Sequence, residues 1–491
     1  MAKPHPFFLL LCLFAITTGI SASSPFTPSL ANAYGELLKL RVNSSRTILR
    51  TAVPEKEADK AALLLVANYN DFLELCVEQD QNRYDQLVEA QEKRLEKITQ
   101  MTDRSPWAGY AAAEVRMQLA MSKLLFGNRL SAAWDFRKAY LQYARNASRW
   151  PGFQPNKKNL GVMQVMIGSV PDQYQWFLQI IGLIGSVREG MANLKTAAMQ
   201  PNPFQEEAKL LHAIMLHTIR PENAPHAISQ VTDLLKTQPD NLLFRFAAMH
   251  LLKKTNQGEA ALKLYEERPY SKLYLSFPFL HHMAADLYLY RGDYARSVSE
   301  NKLFLLQHKG QHYVKSAHYK LYIAHLLGNH LPQAKWHFNQ ILQLGIAETE
   351  EDKYAVSYAE SNEQPVPPLM KARLHADGGY YREALTDLAN MQISATTPLP
   401  VRVEHLYRKA RVYHGLHDLQ EAAAFYKLTI ATAADAPLYY APNAALQLGY
   451  IYQQANQPEK AKACFRKALA YKGHAYKNSI DAKAKLALAS F

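Results

Sequence analysis

Apolar and small residues recur at helical spacing along most of this chain, and the clearest stretch lies near its end. From Pro442 the chain runs PNAALQLGYIYQQANQPEKAKACFRKALAYKG. Small or apolar residues fall at Ala445, Leu448, Gly449, Tyr452, Ala461, Phe465, Ala468 and Leu469. That period predicts two helices joined by a tight turn. Gly449 and Ala461 let the two helices approach closely, and Tyr452, Phe465 and Leu469 fill the space towards neighbouring hairpins. One such hairpin cannot bury its apolar faces alone, so it must stack on others.

The same pattern returns upstream. A hairpin spans Trp107–Ala144 with a turn at Gly127-Asn128, and Pro203 opens a second with Pro221-Glu222-Asn223 in its turn. Further units are expected at 244–267, 282–306, 317–344, 370–391, 404–431 and 441–472. Their helix-crossing positions are assigned to Ala260, Ser297, Ala334, Ala384, Ala422 and Ala461, spaced 37, 37, 50, 38 and 39 residues apart. These are tetratricopeptide-like helix–turn–helix units with longer loops than the ideal 34-residue repeat. The expected fold is all-α: a right-handed α-solenoid.

Other segments set the domain limits. Residues 1–33 read as a secretory signal, with Lys3, an apolar run from Phe7 to Ile20, and cleavage after Ala22 or Ala33. An uncleaved anchor is the alternative. Residues 34–200 form an N-terminal helical region, 201–345 carry repeats, 346–369 form a polar, proline-rich loop, and 370–491 carry the C-terminal repeats. The loop is either a hinge between two halves or a surface excursion. Within the N-terminal region, 159–191 is more apolar than its neighbours and holds five glycines. It reads as a buried helical pair broken at Pro171-Asp172, with a membrane-dipping hairpin as the sharper alternative.

Composition agrees with helix. Glycine is scarce at 20 residues and tyrosine abundant at 29. The net charge is +13, and the C-terminal end is strongly basic: Lys460, Lys462, Arg466, Lys467, Lys472, Lys477, Lys483 and Lys485 face only Glu459 and Asp481. An acidic protein, an anionic membrane or nucleic acid would complement it, and a solvated helix face explains it equally. Of the three cysteines, Cys12 lies in the N-terminal apolar run; Cys76 and Cys464 follow no metal spacing and read as buried free thiols. No phosphate-binding loop, dinucleotide motif, serine elbow or HExxH motif is present. The 18 histidines lack metal-ligand spacing. The expectation is therefore a protein with no metal, no cofactor and no catalytic residue.

Two segments are less generic. The first contains Gly161, Val170-Pro171, Tyr174, Leu178, Gly182, Gly185 and Arg188-Glu189-Gly190. The second contains Tyr440, Pro442, Leu448-Gly449, Tyr452, Lys460-Ala461, Lys467-Ala468, Tyr471-Lys472-Gly473, Asn478-Ser479 and Lys485-Leu486. In this order they resemble the tetratricopeptide repeat protein 39 family, from about residue 60 to the end. The resemblance implies an all-α repeat protein without catalytic activity. Eukaryotic members of that family are not exported, whereas this chain opens with a signal-like segment.

The functional expectation is a non-enzymatic, exported scaffold, periplasmic or associated with the outer membrane. It would bind a protein or peptide in a concave face lined by the first helices of the hairpins. Tyr288, Lys320, His325 and Arg373 are the candidate groove residues. Nucleic-acid binding is not expected, because the positive residues are spread over many helices and no recognition module is visible. The alternative is a membrane-surface protein using 159–191 and the basic C-terminal helices.

Overall fold

The computed structural model describes residues 25–102, 105–170, 172–361, 364–488 and 491, without the side chains of 172–174. Most of the predicted signal, residues 1–24, lies outside them. The described chain is all-α.

Four helices come first: α1 (Pro28–Leu38), α2 (Val42–Arg50), α3 (Glu57–Glu78) and α4 (Gln81–Thr99). Nine hairpins follow among the described residues. They pair α5 (Pro106–Leu125) with α6 (Arg129–Arg149), and α7 (Asn156–Gly168) with α9 (Val187–Met199) across an inserted α8 (Asp172–Ile180). Next come α10 (Gln205–Ile219) with α11 (Ala224–Thr237), α12 (Leu242–Lys254) with α13 (Gly258–Glu266), and α14 (Phe279–Arg291) with α15 (Tyr294–Gln307). α16 (Val314–Leu327) pairs with α17 (Leu331–Gln343), and α18 (Glu350–Ser361) packs on both. The last pairs are α19 (Pro367–Gly378) with α20 (Tyr381–Ala389), α21 (Leu399–Gly415) with α22 (Leu419–Ala433), and α23 (Tyr440–Gln454) with α24 (Pro458–Ala470), closed by α25 (Lys477–Leu488).

Most hairpin turns share one construction. The first helix ends in a left-handed residue: Gly127, Asn256, Gly292, Asn329, Gly379, His417 or Asn456. The next N–H bonds back five residues, as in Gln257 to Leu252 O (2.9 Å) and Gln457 to Tyr452 O (2.9 Å). This is the Schellman closure, and it satisfies a carbonyl that the helix end leaves open. Five residues beyond the left-handed residue stands a small buried one: Ala132, Ala261, Ser297, Ala334, Ala384, Ala422 or Ala461. The crossing position assigned to Ala260 is thus Ala261; Ala260 is exposed. In the last hairpin a Cβ on Gly449 would stand 2.5 Å from the Phe465 ring, which fixes glycine there.

Three segments depart from the sequence reading. Residues 346–369 are not a loop: α18 occupies the middle, with Asp352, Ala355 and Ala359 buried at one face. Asp352 accepts from the Tyr313 and Ser316 N–H groups (2.7 and 2.9 Å), capping α16. Residues 159–191 are not a wholly buried pair. α7 and α9 do cross backbone to backbone, since a Cβ on Gly161 would stand 2.7 Å from Gly190 O. But α8 turns Trp176, Phe177 and Ile180 outward. Lastly, a boundary at Ala33 cuts through α1, whose Leu30 and Ala33 are buried in the first core beside Tyr34 and Leu37.

The C-terminal hairpins do not simply extend from α17. α19 packs on α14. Asn256 Nδ2 donates to Asp377 O (2.8 Å), Tyr380 OH donates to Glu259 (2.8 Å), and Gly258 and Gly378 meet at their backbones. α18 shares a core with α14, α16, α17 and α19.

Two buried ionic networks hold the stack. In the first, the Lys158 side chain is 0% exposed. Its Nζ donates to Glu114 (2.9 Å), Glu207 (2.8 Å) and the Tyr69 hydroxyl (2.6 Å). Tyr69 and Tyr143 donate to Glu114, and Tyr34 to Glu207. Burial alone would raise the Glu114 carboxyl; Lys158 and the tyrosines outweigh it and hold it below the usual range. In the second, Lys320 lies 2.7 Å from Asp286 and 2.9 Å from Glu351, and Lys253 also pairs with Asp286.

Replacing Lys158 by Met should cost about 3–5 kcal/mol, because two carboxylates then stay buried without their cation. Denaturant titration reads this directly. A loss below about 1 kcal/mol would show that water reaches the site.

Candidate anion-binding pocket

The first helices of the last three hairpins turn one face each towards a shared pocket. α19 supplies Arg373 and Asp377, α21 supplies Arg408, and α23 supplies Asn443. Tyr354 of α18 borders it, as do Tyr439, Tyr476 and Lys483. The cavity measures about 350 Å3.

Arg373, Arg408 and Lys483 line it against one acid, Asp377. Arg408 is fixed by its own helix: Nε and Nη2 donate to Glu404 Oε1 at 3.0 and 2.7 Å. Burial works against its charge, yet Tyr439 and Glu404 raise its pKa above the ordinary value. Arg373 is less fully matched. Its Nη1 donates to the Tyr354 hydroxyl at 2.7 Å, while Asp377 stands 3.7 Å from Nε, beyond hydrogen-bond range. Lys483 is exposed and has no acidic partner among the described residues. Arg373 and Arg408 repel one another. An anion between them would relieve that repulsion and take charge-assisted hydrogen bonds from planar donors.

Of the four residues nominated from sequence, Arg373 alone belongs here; the other three are corrected. Tyr288 is buried, with its hydroxyl donating to Glu266 at 3.1 Å. Lys320 is spent in the second ionic network. His325 is buried in a histidine cluster, stacked on His337 with ring centroids 5.4 Å apart. The Nδ1 atoms of His337 and His318 lie 3.0 Å apart. Sequence reasoning missed Arg408, Tyr439 and Lys483. A signal existed: Arg373, Arg408 and Asn443 fall on successive first helices, 35 residues apart where the turns are 38 and 39 apart. Counted back from the left-handed turn residues, they sit six, nine and thirteen positions away, one face of a helix at successive turns.

No family model matches the chain, and no curated protein matches it. Among solved structures it is similar to a tetratricopeptide repeat protein from Parabacteroides merdae. The identity is 16%, over 58% of this chain and 98% of that one, with a TM-score of 0.25. It is also similar to a human IFIT1 dimer with PPP-AAAA, at 13% identity over 92% and 91% of the two chains, TM-score 0.34. The IFIT1 dimer with m7Gppp-AAAA gives 12%, 90% and 89%, TM-score 0.36. Values this low carry no functional argument; the repeat fold stands on the helices described above.

The histidine cluster has a measurable consequence. Burial, with Lys315 nearby, holds His318 down to about 4. Burial, with His318 and His325, holds His337 at about 3. Both folded values lie below the unfolded value near 6.5, so the unfolded chain takes up protons first as pH falls. Their stabilising contribution is complete above pH 6.5 and is lost progressively down to about 3–4. Stability should fall on acidification by up to about 1.4 kcal/mol per pH unit per histidine, and less steeply in His337→Gln. Urea midpoints between pH 7 and pH 4.5 test this, and equal slopes in the two proteins would sink it.

Proposed function

We propose that this protein is a non-enzymatic scaffold whose C-terminal repeats hold an acidic segment of a partner protein by its carboxylates. The observation that carries the reading is the pairing of Arg373 with Arg408. Two guanidiniums from successive first helices face one pocket containing a single, poorly placed acid. Recognition there would draw on a few charge-assisted bonds and on the tyrosines around them. The resemblance to the tetratricopeptide repeat protein 39 family implies a repeat protein without catalytic activity and names no partner.

The protein is further proposed to be exported, acting in a periplasm or at an outer membrane. Cleavage after Ala22 suits the fold better than cleavage after Ala33, because it keeps Leu30 and Ala33 in the core. Protein purified from its host should then begin at Ser23.

A second reading is favoured by one observation. On α8 and just beyond it, Trp176 (62% exposed), Phe177, Ile180 and Ile184 form an aromatic and aliphatic patch. Arg137 ties this region to Trp134, donating to Ile181 O (2.6 Å) with its guanidinium 6.0 Å from the indole. Tryptophan beside aliphatic residues and arginine suits the interfacial zone of a bilayer. No helix of the described residues is long and apolar enough to cross a membrane. Flotation with anionic vesicles should be lost in Trp176→Ser/Ile180→Ser, while an absence of flotation by the parent protein at low salt removes this reading.

For the first reading, the measurement is anisotropy of peptides ending in Asp or Glu with a free carboxylate. Affinity should fall about ten-fold or more in Arg373→Gln/Lys483→Gln, with the melting midpoint nearly unchanged. Amidating the peptide should cost a similar factor, and a 5′-triphosphorylated oligoadenylate should not displace it. Equal binding of free and amidated peptides rules the carboxylate reading out. A collapsed melting midpoint assigns Arg373 to structure instead.

A further inference from the structure

A second basic site lies in the N-terminal half. α9 and α11 both pack on α10, and between them runs an open groove of about 1250 Å3. It opens between the second helices of two hairpins, not on the first-helix face that carries Arg373.

Its lining is mainly apolar, with Met191 and Met199 on one wall and Leu216 and Leu234 on the others. Met199 is 65% exposed. Unbranched, polarizable methionine adapts to varied apolar partners. Four cations edge the groove: Arg188 and Lys195 from α9, Lys209 from α10 and Arg220 at its end. None of the four has an acidic partner among the described residues. Of the groove's two acids, Asp233 is paired with Lys236 (2.8 Å), and Glu206 accepts from the neutral Gln238 amide (2.7 Å) and keeps its charge, so the cations outnumber the one unpaired carboxylate. The site therefore presents apolar surface flanked by uncompensated positive charge, and its complement is amphipathic and acidic.

The placement of the cations decides the kind of ligand. Lys209 and Arg220 are eleven residues apart, which is about 16 Å along a helix. Arg188 and Lys195 stand two turns apart on the neighbouring α9, and α11 adds no cation to the lining. Cations spaced over two to three turns along α9 and α10 match acids on successive turns of a helix, whereas a lipid concentrates its charge in one headgroup. Across the groove runs a polar chain: His212 Nδ1 meets Gln230 Oε1 at 3.1 Å, and Gln230 Nε2 donates to His226 Nε2 at 2.9 Å. Burial, then His226 and Lys195, lower the His212 pKa, so it stays neutral and adds no competing charge at neutral pH.

We propose that this groove seats an acidic amphipathic helix of a partner protein. The ligand's apolar stripe lies on Met191, Leu216 and Leu234, and its flanking carboxylates meet Arg188, Lys195, Lys209 and Arg220. The inference does not depend on the Arg373 pocket, and the two are separable by mutation.

The test is selection from a displayed library of random peptides four helical turns long against the full chain. Enriched peptides should carry apolar residues at i, i+3, i+4 and i+7, with Asp or Glu beside them. Their affinity should drop about ten-fold or more in Lys195→Glu/Lys209→Glu/Arg220→Glu, weaken with added salt, and survive Arg373→Gln. The three residues are at or near the surface, and circular dichroism confirms that the variant folds. Three outcomes overturn the proposal: no enrichment, peptides without this pattern, or binding indifferent to charge reversal. Saturable oleate binding that is lost in the same variant, with no peptide enriched, assigns the groove to a lipid instead.

Discussion

A lysine ammonium with no access to water organises the N-terminal half of this protein. Lys158 contacts groups from α3, α5 and α10, and the acids it holds accept from tyrosines on α1, α3 and α6. A buried ion tolerates little displacement, because each lost partner leaves a charge in a medium that solvates it poorly. Apolar contacts between repeats are more forgiving, since hydrophobic burial is non-directional. The two ionic networks also stand where the regular repeat is broken. Lys158 lies on α7, whose hairpin is interrupted by α8, and Glu351 lies on α18, inserted between two hairpins. We infer that each network supplies the register that an interrupted repeat no longer enforces; a charge-free replacement of similar volume that kept a single packing would count against this.

Much of the fold was readable because one local rule recurs. Each regular turn needs a residue that tolerates the left-handed conformation, hence Gly or Asn at six of the seven positions, and a small residue five places later where the helices cross. The Ala260 assignment missed by one place because Ala260 and Ala261 are equally small, and only the five-residue offset from the left-handed Asn256 separates them. The insertions obey no such rule. α18 has its own period in Asp352, Ala355 and Ala359, but acidic and proline neighbours gave it the look of a loop. α8 is apolar enough to read as core, and composition alone does not say which side of a short helix faces water.

The candidate site was harder to read, for a geometric reason. The helices α14 and α16 are enclosed on most sides; in α16, twelve of fourteen residues are buried. Hydrophobic periodicity identifies a helix face only when another face is polar and exposed. Tyr288, Lys320 and His325 were chosen from such helices, where every register looks alike. Arg373 lies on α19, with 26% of its side chain exposed in a pocket. Its relation to Arg408 and Asn443 shows only when the turns anchor the alignment, because the three sit six, nine and thirteen places before them on one helix face.

A net charge of +13 says little until its cations are sorted by partner. Lys158, Lys253 and Lys320 are enclosed by acids and belong to the architecture. Arg46 and Arg94 likewise close on Asp71. Lys483, Arg188, Lys195, Lys209 and Arg220 have no such acids and edge concave surfaces, whereas Lys335, Arg382, Lys467 and Lys472 lie on solvated faces. An unpaired surface cation costs the fold little, so stability does not require it to sit on a groove. The Arg373 pocket and the α9–α11 groove differ in kind. One is small and polar, with planar donors that suit individual carboxylates; the other is long and apolar-lined, and suits a helix. A single acidic partner long enough to reach both would gain avidity without a new contact, provided that its linker spans them.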